Sequence, residues 1–310
     1  MNKKTYLIEK AEKGLTIQQY LKQIAGFSNA QIRSMKFTEN GICLGGQRAR
    51  VTTGLSEGDV LEVLLETKNS SSAHLLSFEQ MPDILYEDAD VIAVNKPAGM
   101  AVHPSHGHYQ DTLANQLAYY FRKNTQQVEI HSIGRLDLET SGIVLFARHR
   151  AAAARLSRQR EDGRLQKTYL AICSGIFAEK NGTLNGAIAP LPGSLMKMCV
   201  SKDGKPAVTH YQVQKQYMEA ALVRLTLETG RTHQIRVHMA DAGHPLIGDR
   251  LYFADTDQKA DVDAENCFAG IKRAALHASR LCFYQPFEGK RITVEATFPE
   301  DMKKCLFRDE

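Results

Sequence analysis

Short hydrophobic runs, many of them alternating with polar residues, extend along most of the chain and predict a protein rich in β-strands. The predicted strands are DVIAVNKPAG, GIVLFAR, KTYLAICSGI, TLNGAIA, AVTHYQVQKQY, ALVRLTLET, LHASRLCFYQP and RITVEATFP. Helical spacing is found in TLANQLAYYF and in HQIRVHMADAG, where Ile235, Met239 and Ala242 share one face and Gly243 is placed to end the helix. Many strands with few long helices predict an α+β fold, with a mixed, mainly antiparallel sheet and flanking helices.

Residues 1–66 have a different pattern and predict a small α/β unit of their own. The segment LTIQQYLKQIAGFS has the hydrophobic spacing of a helix, and Ser28 is placed to cap a second helix, NAQIRSMKF. The segments NGICLGG and GLSEGDVLEVLL predict turns that lead into strands. A polar, serine-rich linker is predicted over residues 67–78, followed by a large domain over residues 79–310.

The composition is that of a globular protein with a modest positive charge. The 310 residues are 43% hydrophobic and carry a net charge of +4, which permits a polyanionic partner without requiring one. Six cysteines are scattered singly, so neither a zinc site nor a disulfide framework is predicted. No apolar run reaches the roughly 18 residues of a membrane span, and the N-terminus does not resemble a signal peptide. These features favour a reduced, cytoplasmic protein without a membrane partner.

The segment SIGRLDLETSGIVLFAR places a carboxylate and a guanidinium next to a predicted buried strand. Arg135 lies two residues before Asp137, which puts both side chains on one face of an extended chain. A nearby cation keeps a partly buried carboxylate ionised, and an ionised, desolvated aspartate can act as a nucleophile or a base. A turn residue or a structural ion pair is the alternative interpretation. Glu139 is interpreted as a solvated turn residue, because two acids so close together fit a glycosidase poorly.

A second group of charged residues lies in LETGRTHQIRVHMADAGHPLIGDRLY. Arg231, His233, Arg236 and His238 crowd the start of the predicted helix after Thr229-Gly230, whose free N–H groups and dipole favour an anion or phosphate. A solvated basic helix is the alternative. His233 and His238 are five residues apart and therefore diverge by about 140° around a helix, which argues against a metal site.

Two further patterns carry possible chemistry. Lys167 and Tyr169 share one face of the strand KTYLAIC, although a strand tyrosine is usually a core residue. His103, His106 and His108 lie on one glycine- and proline-rich segment, where a metal-dependent hydrolase is conceivable but a loop without a metal is favoured. Neither a phosphate loop nor a dinucleotide fingerprint is present, and no cofactor is expected.

In their order and spacing, several of these segments resemble the RluA/RluD-type family of RNA pseudouridine synthases over nearly the whole chain. The matching segments are NKPAGMAVHP, GRLDLETSGIVLFAR, KTYLAI, ETGRTHQIRVHMADAGHPLIGDRLY and ALHASRLCF. The family pattern usually has histidine where Gly134 stands, and we expect this change to affect packing or RNA contacts and not the chemistry. The N-terminal unit resembles the small RNA-binding domain named after ribosomal protein S-four.

The resemblance implies a role for each matching residue. Asp137 would be the catalytic nucleophile, attacking either the sugar or the uracil ring, and Arg236 would form the ion pair that keeps it ionised. Tyr169 would pack on the uracil and move a proton, Arg135 would enter the space left by the flipped nucleotide, and Leu136 and Ile235 would wall the pocket. Arg231, His233 and Lys167 are the remaining candidates for RNA contacts.

The resemblance also implies an isomerisation that needs neither a cofactor nor a metal. The expected partner is RNA, with large-subunit ribosomal RNA favoured over transfer RNA, and the protein is expected to be a monomer. Two other hypotheses stay open: a catalytically silent RNA-binding or ribosome-assembly protein on the same fold, and the metal-dependent hydrolase.

Overall fold

The structure is a computed structural model, which describes residues 3–65, 75–105, 107–126, 128–194, 196–253 and 271–306. The strands in these ranges are β1 (Lys3–Leu7), β2 (Ile42–Leu44), β3 (Gln47–Arg48), β4 (Val60–Leu64), β5 (Asp83–Glu87), β6 (Val91–Lys96), β7 (His131–Ser132), β8 (Ser141–Ala147), β9 (Gln166–Ser174), β10 (Asn181–Leu184), β11 (Ile188–Pro190), β12 (Met198–Val200), β13 (Thr209–Gln216), β14 (Ala220–Leu227), β15 (Leu276–Tyr284) and β16 (Arg291–Glu295). The helices are α1 (Ile17–Gln23), α2 (Asn29–Phe37), α3 (Leu113–Lys123), α4 (Arg150–Glu161), α5 (Gln234–Asp241) and α6 (Glu300–Leu306).

The N-terminal unit, residues 3–65, is a four-stranded antiparallel sheet in the order β1-β4-β2-β3 with two helices. Ser28 caps α2 as predicted, because its hydroxyl accepts the Gln31 N–H while the Gln31 side chain bonds back to the Ser28 N–H. The helices bury Ile17, Leu21 and Ile32 in a core shared with the sheet. Strand β1 was not predicted, because KKTYL carries only two large apolar side chains.

The large sheet has the order β10-β13-β14-β9-β15-β8-β6-β5, with β16 added beside β15 and β7 beside β8. Its pairings are antiparallel except that β15 runs parallel to β8. Residues of β8 alternate between two cores: Val144 and Phe146 pack in the cluster that contains α3, and Ile143 and Leu145 pack in the cluster that contains α4. A strand covered on both faces has a continuous apolar sequence, as β8 does. The predicted α+β fold is therefore confirmed.

Several elements differ from the sequence prediction. The segment TLNGAIA is not one strand, because it divides between β10 of the large sheet and β11, which pairs with β12 in a separate two-stranded sheet. Helix α6 follows the last strand and was not predicted. Helix α4 was also missed, because its buried face is mostly alanine and the hydrophobic period is weak. No helix in the described ranges is long and apolar enough to cross a membrane.

A buried aspartate connects the N-terminal unit to the large sheet. Asp90, which is 1% exposed, accepts a 2.9 Å hydrogen bond from Nε2 of His149 and another hydrogen bond from the Gln285 amide. Lys4 of β1 reaches the same carboxylate, with a distance of 3.4 Å between Nζ and Oδ2. Beside this group, the Arg155 guanidinium lies 4.0 Å from the ring centroid of Phe287 and 5.2 Å from that of Phe27.

Burial by itself raises the pKa of Asp90, but the hydrogen bonds from His149 and Gln285 and the charge of Lys4 outweigh it, and the pKa lies below its ordinary value of 3.8. Since the folded-state pKa is depressed, the ionised carboxylate contributes stability above the unfolded-state pKa. That contribution is lost as the pH falls through the folded-state pKa.

We predict that Asp90→Asn lowers the free energy of unfolding by about 3 kcal/mol at neutral pH, because Lys4 and His149 lose their carboxylate partner. The difference from the wild type should shrink as the pH falls below about 4. Urea unfolding followed by circular dichroism at a series of pH values measures both. Glu57→Gln, at an exposed turn, is the control and should be neutral. A full-sized effect of Asp90→Asn that persists at low pH would contradict the linkage.

Candidate functional site

The loop that carries Asp137 spans residues 133–140 between β7 and β8. The Asp137 carbonyl accepts the Thr140 N–H at 3.1 Å, which closes a turn around the acid. The next carbonyl, that of Leu138, accepts the Gly99 N–H at 2.8 Å. Asp137 is thus held on a loop anchored on both sides, and its side chain is partly exposed.

Gly142 explains the Thr-Ser-Gly sequence that follows. The residue has φ +108°, and a Cβ at this position would lie 2.3 Å from the Ala278 carbonyl oxygen, so only glycine lets β8 approach β15. The neighbouring Ser141 hydroxyl lies 2.9 Å from Nδ1 of His277. The parallel pairing of these two strands therefore sets the point from which the Asp137 loop emerges.

Lys96 is a fully buried lysine beneath the Asp137 loop, and the sequence analysis did not select it. Its Nζ donates to the carbonyls of Pro97 at 2.9 Å, Met100 at 2.8 Å and Leu138 at 3.2 Å. Burial, and to a smaller extent the charge of Arg273, lower its pKa to about 7, and the charge of Asp137 opposes both. The only sequence signal was a lysine at the end of an apolar strand followed by proline.

Several of the predicted pocket residues share a core cluster or lie within electrostatic range of Asp137. Leu136, Tyr169 and Ile235 belong to one hydrophobic core cluster. Burial raises the pKa of Tyr169, and the negative charge of Asp137 raises it further, which places the phenol and the carboxylate within electrostatic range of each other. Burial lowers the pKa of His233, and the charge of Asp137 opposes this change.

The predicted direct ion pair between Arg236 and Asp137 is wrong, because Arg236 pairs with Asp249. Arg236, which is 4% exposed, donates from Nε and Nη2 to the two carboxylate oxygens of Asp249 at 2.6 and 2.7 Å. Asp249 is fully buried, and a guanidinium fork fits its carboxylate in a bidentate geometry. Burial lowers the pKa of Arg236, but the hydrogen bonds and the charge of Asp249 outweigh burial. The charge of Asp137 raises this pKa further. Asp249 therefore orients Arg236, and the charges of Arg236 and Asp137 interact without a direct ion pair.

Glu139 also differs from its predicted role as a solvated turn residue. Its Oε2 accepts the Ala274 N–H at 3.2 Å and lies 4.0 Å from Nη2 of Arg236. Arg273 donates to the Glu139 carbonyl at 3.3 Å. The acid therefore links the Asp137 loop to the chain that precedes β15.

The segment before α5 differs from the predicted helix start. The helix begins at Gln234, and His233 has a left-handed backbone with φ 55°. The Gln234 side chain accepts the Arg231 N–H at 3.0 Å, so this N–H is not free for an anion. The Arg231 guanidinium is exposed and donates to the Pro206 carbonyl, and Nδ1 of His233 lies 2.9 Å from the Tyr252 hydroxyl.

The remaining candidates have separate surroundings. Arg135 is exposed on the Asp137 loop, and Lys167 is half-buried on β9. His103 packs edge-on against Phe146, and Nδ1 of His108 lies 2.7 Å from Asp111, while His106 lies outside the described residues. Within the described ranges no group of three histidine, cysteine or acidic side chains is arranged to hold a metal ion.

Comparison with known proteins finds a matching family model and similar sequences. A family model described as RNA pseudouridylate synthase matches residues 90–241. The chain is 35% identical over 293 residues to an uncharacterized RNA pseudouridine synthase of Bacillus subtilis, YjbO, covering 94% of this chain and 98% of the relative. It is 38% identical over 267 residues to ribosomal large subunit pseudouridine synthase D of Neisseria meningitidis, covering 85% and 67%.

A solved structure is also similar. Human RNA Pseudouridylate Synthase Domain Containing 1 matches with a TM-score of 0.57 and 27% identity over 77% of this chain and 90% of that chain. The similarity therefore includes the fold as well as the sequence.

We predict that the reaction rate falls at alkaline pH because Lys96 loses its proton. Deprotonation near pH 7 leaves two N–H groups for three carbonyls and removes a positive charge beside Asp137. The rate at low substrate concentration should therefore fall as the pH rises above about 7. The free energy of unfolding should rise between about pH 7 and pH 10.5, since Lys96 binds its proton more tightly in the unfolded chain. A pH–rate profile and urea unfolding measure the two trends.

Lys96→Met should lower activity about 100-fold, because the Leu138 carbonyl loses its donor, and should abolish both pH trends. Lys180→Met, at an exposed lysine, is the matched control and should retain them. An unchanged pH profile in Lys96→Met would show that another group titrates.

Proposed function

Because the chain belongs to the RluA/RluD-type family of RNA pseudouridine synthases, which are isomerases, we propose that it converts uridine to pseudouridine in large-subunit ribosomal RNA with Asp137 as the nucleophile. The observation that carries this proposal is the placement of Asp137 on an anchored loop, within electrostatic range of Lys96, Tyr169 and Arg236. The relatives named ribosomal large subunit pseudouridine synthase D support the choice of RNA.

Asp137 begins the reaction as a carboxylate. The C–N bond between uracil and ribose breaks, the ring turns, and a C–C bond forms to the same ribose, so that product and substrate have the same atoms. Asp137 attacks either the anomeric carbon or the uracil ring and is released at the end. The buried side chains of Lys96 and Arg236 lie within electrostatic range of the carboxylate that either route needs.

Tyr169 supplies a wall for the uracil and a proton site. Its pKa lies above the ordinary value of a tyrosine, which keeps the phenol neutral. A neutral hydroxyl can donate a hydrogen bond to uracil and take part in the proton transfer from the ring carbon that forms the new bond. Leu136 and Ile235, both buried, exclude water from the same space.

RNA contacts extend beyond the pocket. Arg135 enters the space left by the flipped uridine and offsets part of the unstacking cost of a few kcal/mol. Arg231 and Lys167 bind phosphates beside the pocket, and His233 contacts the nucleotide. The N-terminal unit acts as an S-four-like RNA-binding domain, supported by its exposed basic residues Lys22, Arg33, Lys36, Arg48 and Arg50. The enzyme works as a monomer and requires no cofactor or metal.

The test uses ribosomal and transfer RNA from a strain that lacks the gene, together with precursor ribosomal particles. The RNA is incubated with the wild type and with Asp137→Asn, and pseudouridine is mapped at single-nucleotide resolution. We expect new sites in large-subunit RNA with the wild type and a rate at least about 10³-fold lower with Asp137→Asn, because the amide is a poor nucleophile.

Asp241→Asn, at an exposed aspartate at the end of α5, is the matched control and should modify the same sites at the wild-type rate. New sites in transfer RNA alone would overturn the proposed substrate. Equal modification by the wild type and Asp137→Asn would overturn the role of Asp137. Binding of RNA without modification by the wild type would indicate a silent binding protein.

A further inference from the structure

Three cationic residues lie on or near the Asp137 loop: Arg135, Arg160 and Lys167, here called the loop cations. Arg135 follows Gly134 on the loop, and Arg160 belongs to the last turn of α4. Nη1 of Arg160 lies 3.6 Å from the point where a Cβ on Gly134 would stand. Lys167 is the second residue of β9, and the charge of Arg160 adds to burial in lowering its pKa to about 8.

Gly134 is the loop residue that lies next to Arg160. Its φ of +82° is one that other residues rarely adopt, so a side chain at this position would be strained, while its Cβ would make an ordinary van der Waals contact with Nη1. The last turn of α4 therefore places a cation beside the loop that carries Asp137.

Within the described ranges the side chain of none of the three loop cations forms a hydrogen bond or an ion pair, whereas Arg148 pairs with Glu87 and Arg164 with Asp162. Like charges held close together repel each other, most strongly where one of them is partly desolvated, as Lys167 is. A favourable helix dipole accounts for a cation in the last turn of α4, but Arg158 in the same turn satisfies it equally.

We propose that Arg160, beside Gly134 and together with Lys167, binds the RNA phosphates that flank the target uridine, next to the space that Arg135 enters. This inference rests on the proposed function. An unpaired guanidinium matches the two-oxygen edge of a phosphate, and three uncompensated cations match a polyanion better than an isolated small anion. A uridine can be held out of its stack beside Asp137 only if its backbone is fixed on either side. Arg160 is thus a positioning residue for the substrate strand.

The test measures binding and turnover on one RNA, an unmodified large-subunit ribosomal RNA transcribed in vitro. Filter binding over a series of KCl concentrations is compared for the wild type, Arg160→Gln, Arg160→Lys and Arg158→Gln. Loss of one phosphate contact should weaken binding by Arg160→Gln about tenfold and reduce the slope of log K against log salt by about 1. Arg160→Lys should keep the wild-type slope, since it keeps the charge.

Arg158→Gln is the matched control from the same helical turn and should bind as the wild type does. The weaker substrate binding of Arg160→Gln should appear as a higher KM, since the phosphate contacts precede the chemical step. A salt slope unchanged in Arg160→Gln, or changed equally in Arg158→Gln, would overturn the inference. Pseudouridine formation by the wild type on the same transcript tests the proposed function separately, because the salt slopes are measured without turnover.

Discussion

The buried ammonium group of Lys96 is the interaction on which the geometry of the site depends. A lysine with no exposed surface is costly unless its donors are satisfied, and here each of the three N–H groups has a backbone carbonyl. One of these carbonyls belongs to Leu138, the residue after Asp137, so the lysine at the end of β6 determines where the acid stands. The glycine at 142 completes the constraint from the other side, because it lets β15 approach the first residues of β8.

The cations around Asp137 fall into two classes with different physical roles. Lys96 and Arg236 are buried and held in place, Lys96 by carbonyls and Arg236 by the Asp249 carboxylate, and the charge of Lys96 is lost as the pH rises through about 7. The loop cations are unpaired and reach solvent, so they are free to bind a ligand. A site of this kind has a preorganised interior for the nucleobase and an adaptable rim for the RNA backbone.

The N-terminal unit is fixed to the large sheet by a comparable buried charge. Asp90 joins Lys4 of the first strand to His149 at the start of α4, and Arg155 of the same helix lies against Phe27 and Phe287. Helix α4 therefore contacts the N-terminal unit with its first two turns and approaches Gly134 with its last. One helix thus connects the two surfaces proposed to bind RNA.

Helices and strands that are marked by nearby residues in the chain could be predicted from the sequence. Continuous apolar runs predicted β6, β8 and β9, Ser28 predicted the start of α2, and the spacing of Ile235, Met239 and Ala242 with Gly243 predicted α5. The family resemblance predicted the residues around Asp137, and Leu136, Tyr169 and Ile235 do share one cluster.

The partners of charged residues that lie far apart in the chain became apparent only in the tertiary structure. Asp249 takes the guanidinium of Arg236, Lys96 donates to Leu138, and Arg160 approaches Gly134. Hydrophobic periodicity reports which face of an element is buried and says nothing about which charge another element brings to it. The direct partner of Arg236 was therefore predicted wrongly, and Lys96, Asp249 and Arg160 were missed, because each acts through a contact that exists only after the sheet and its helices have packed.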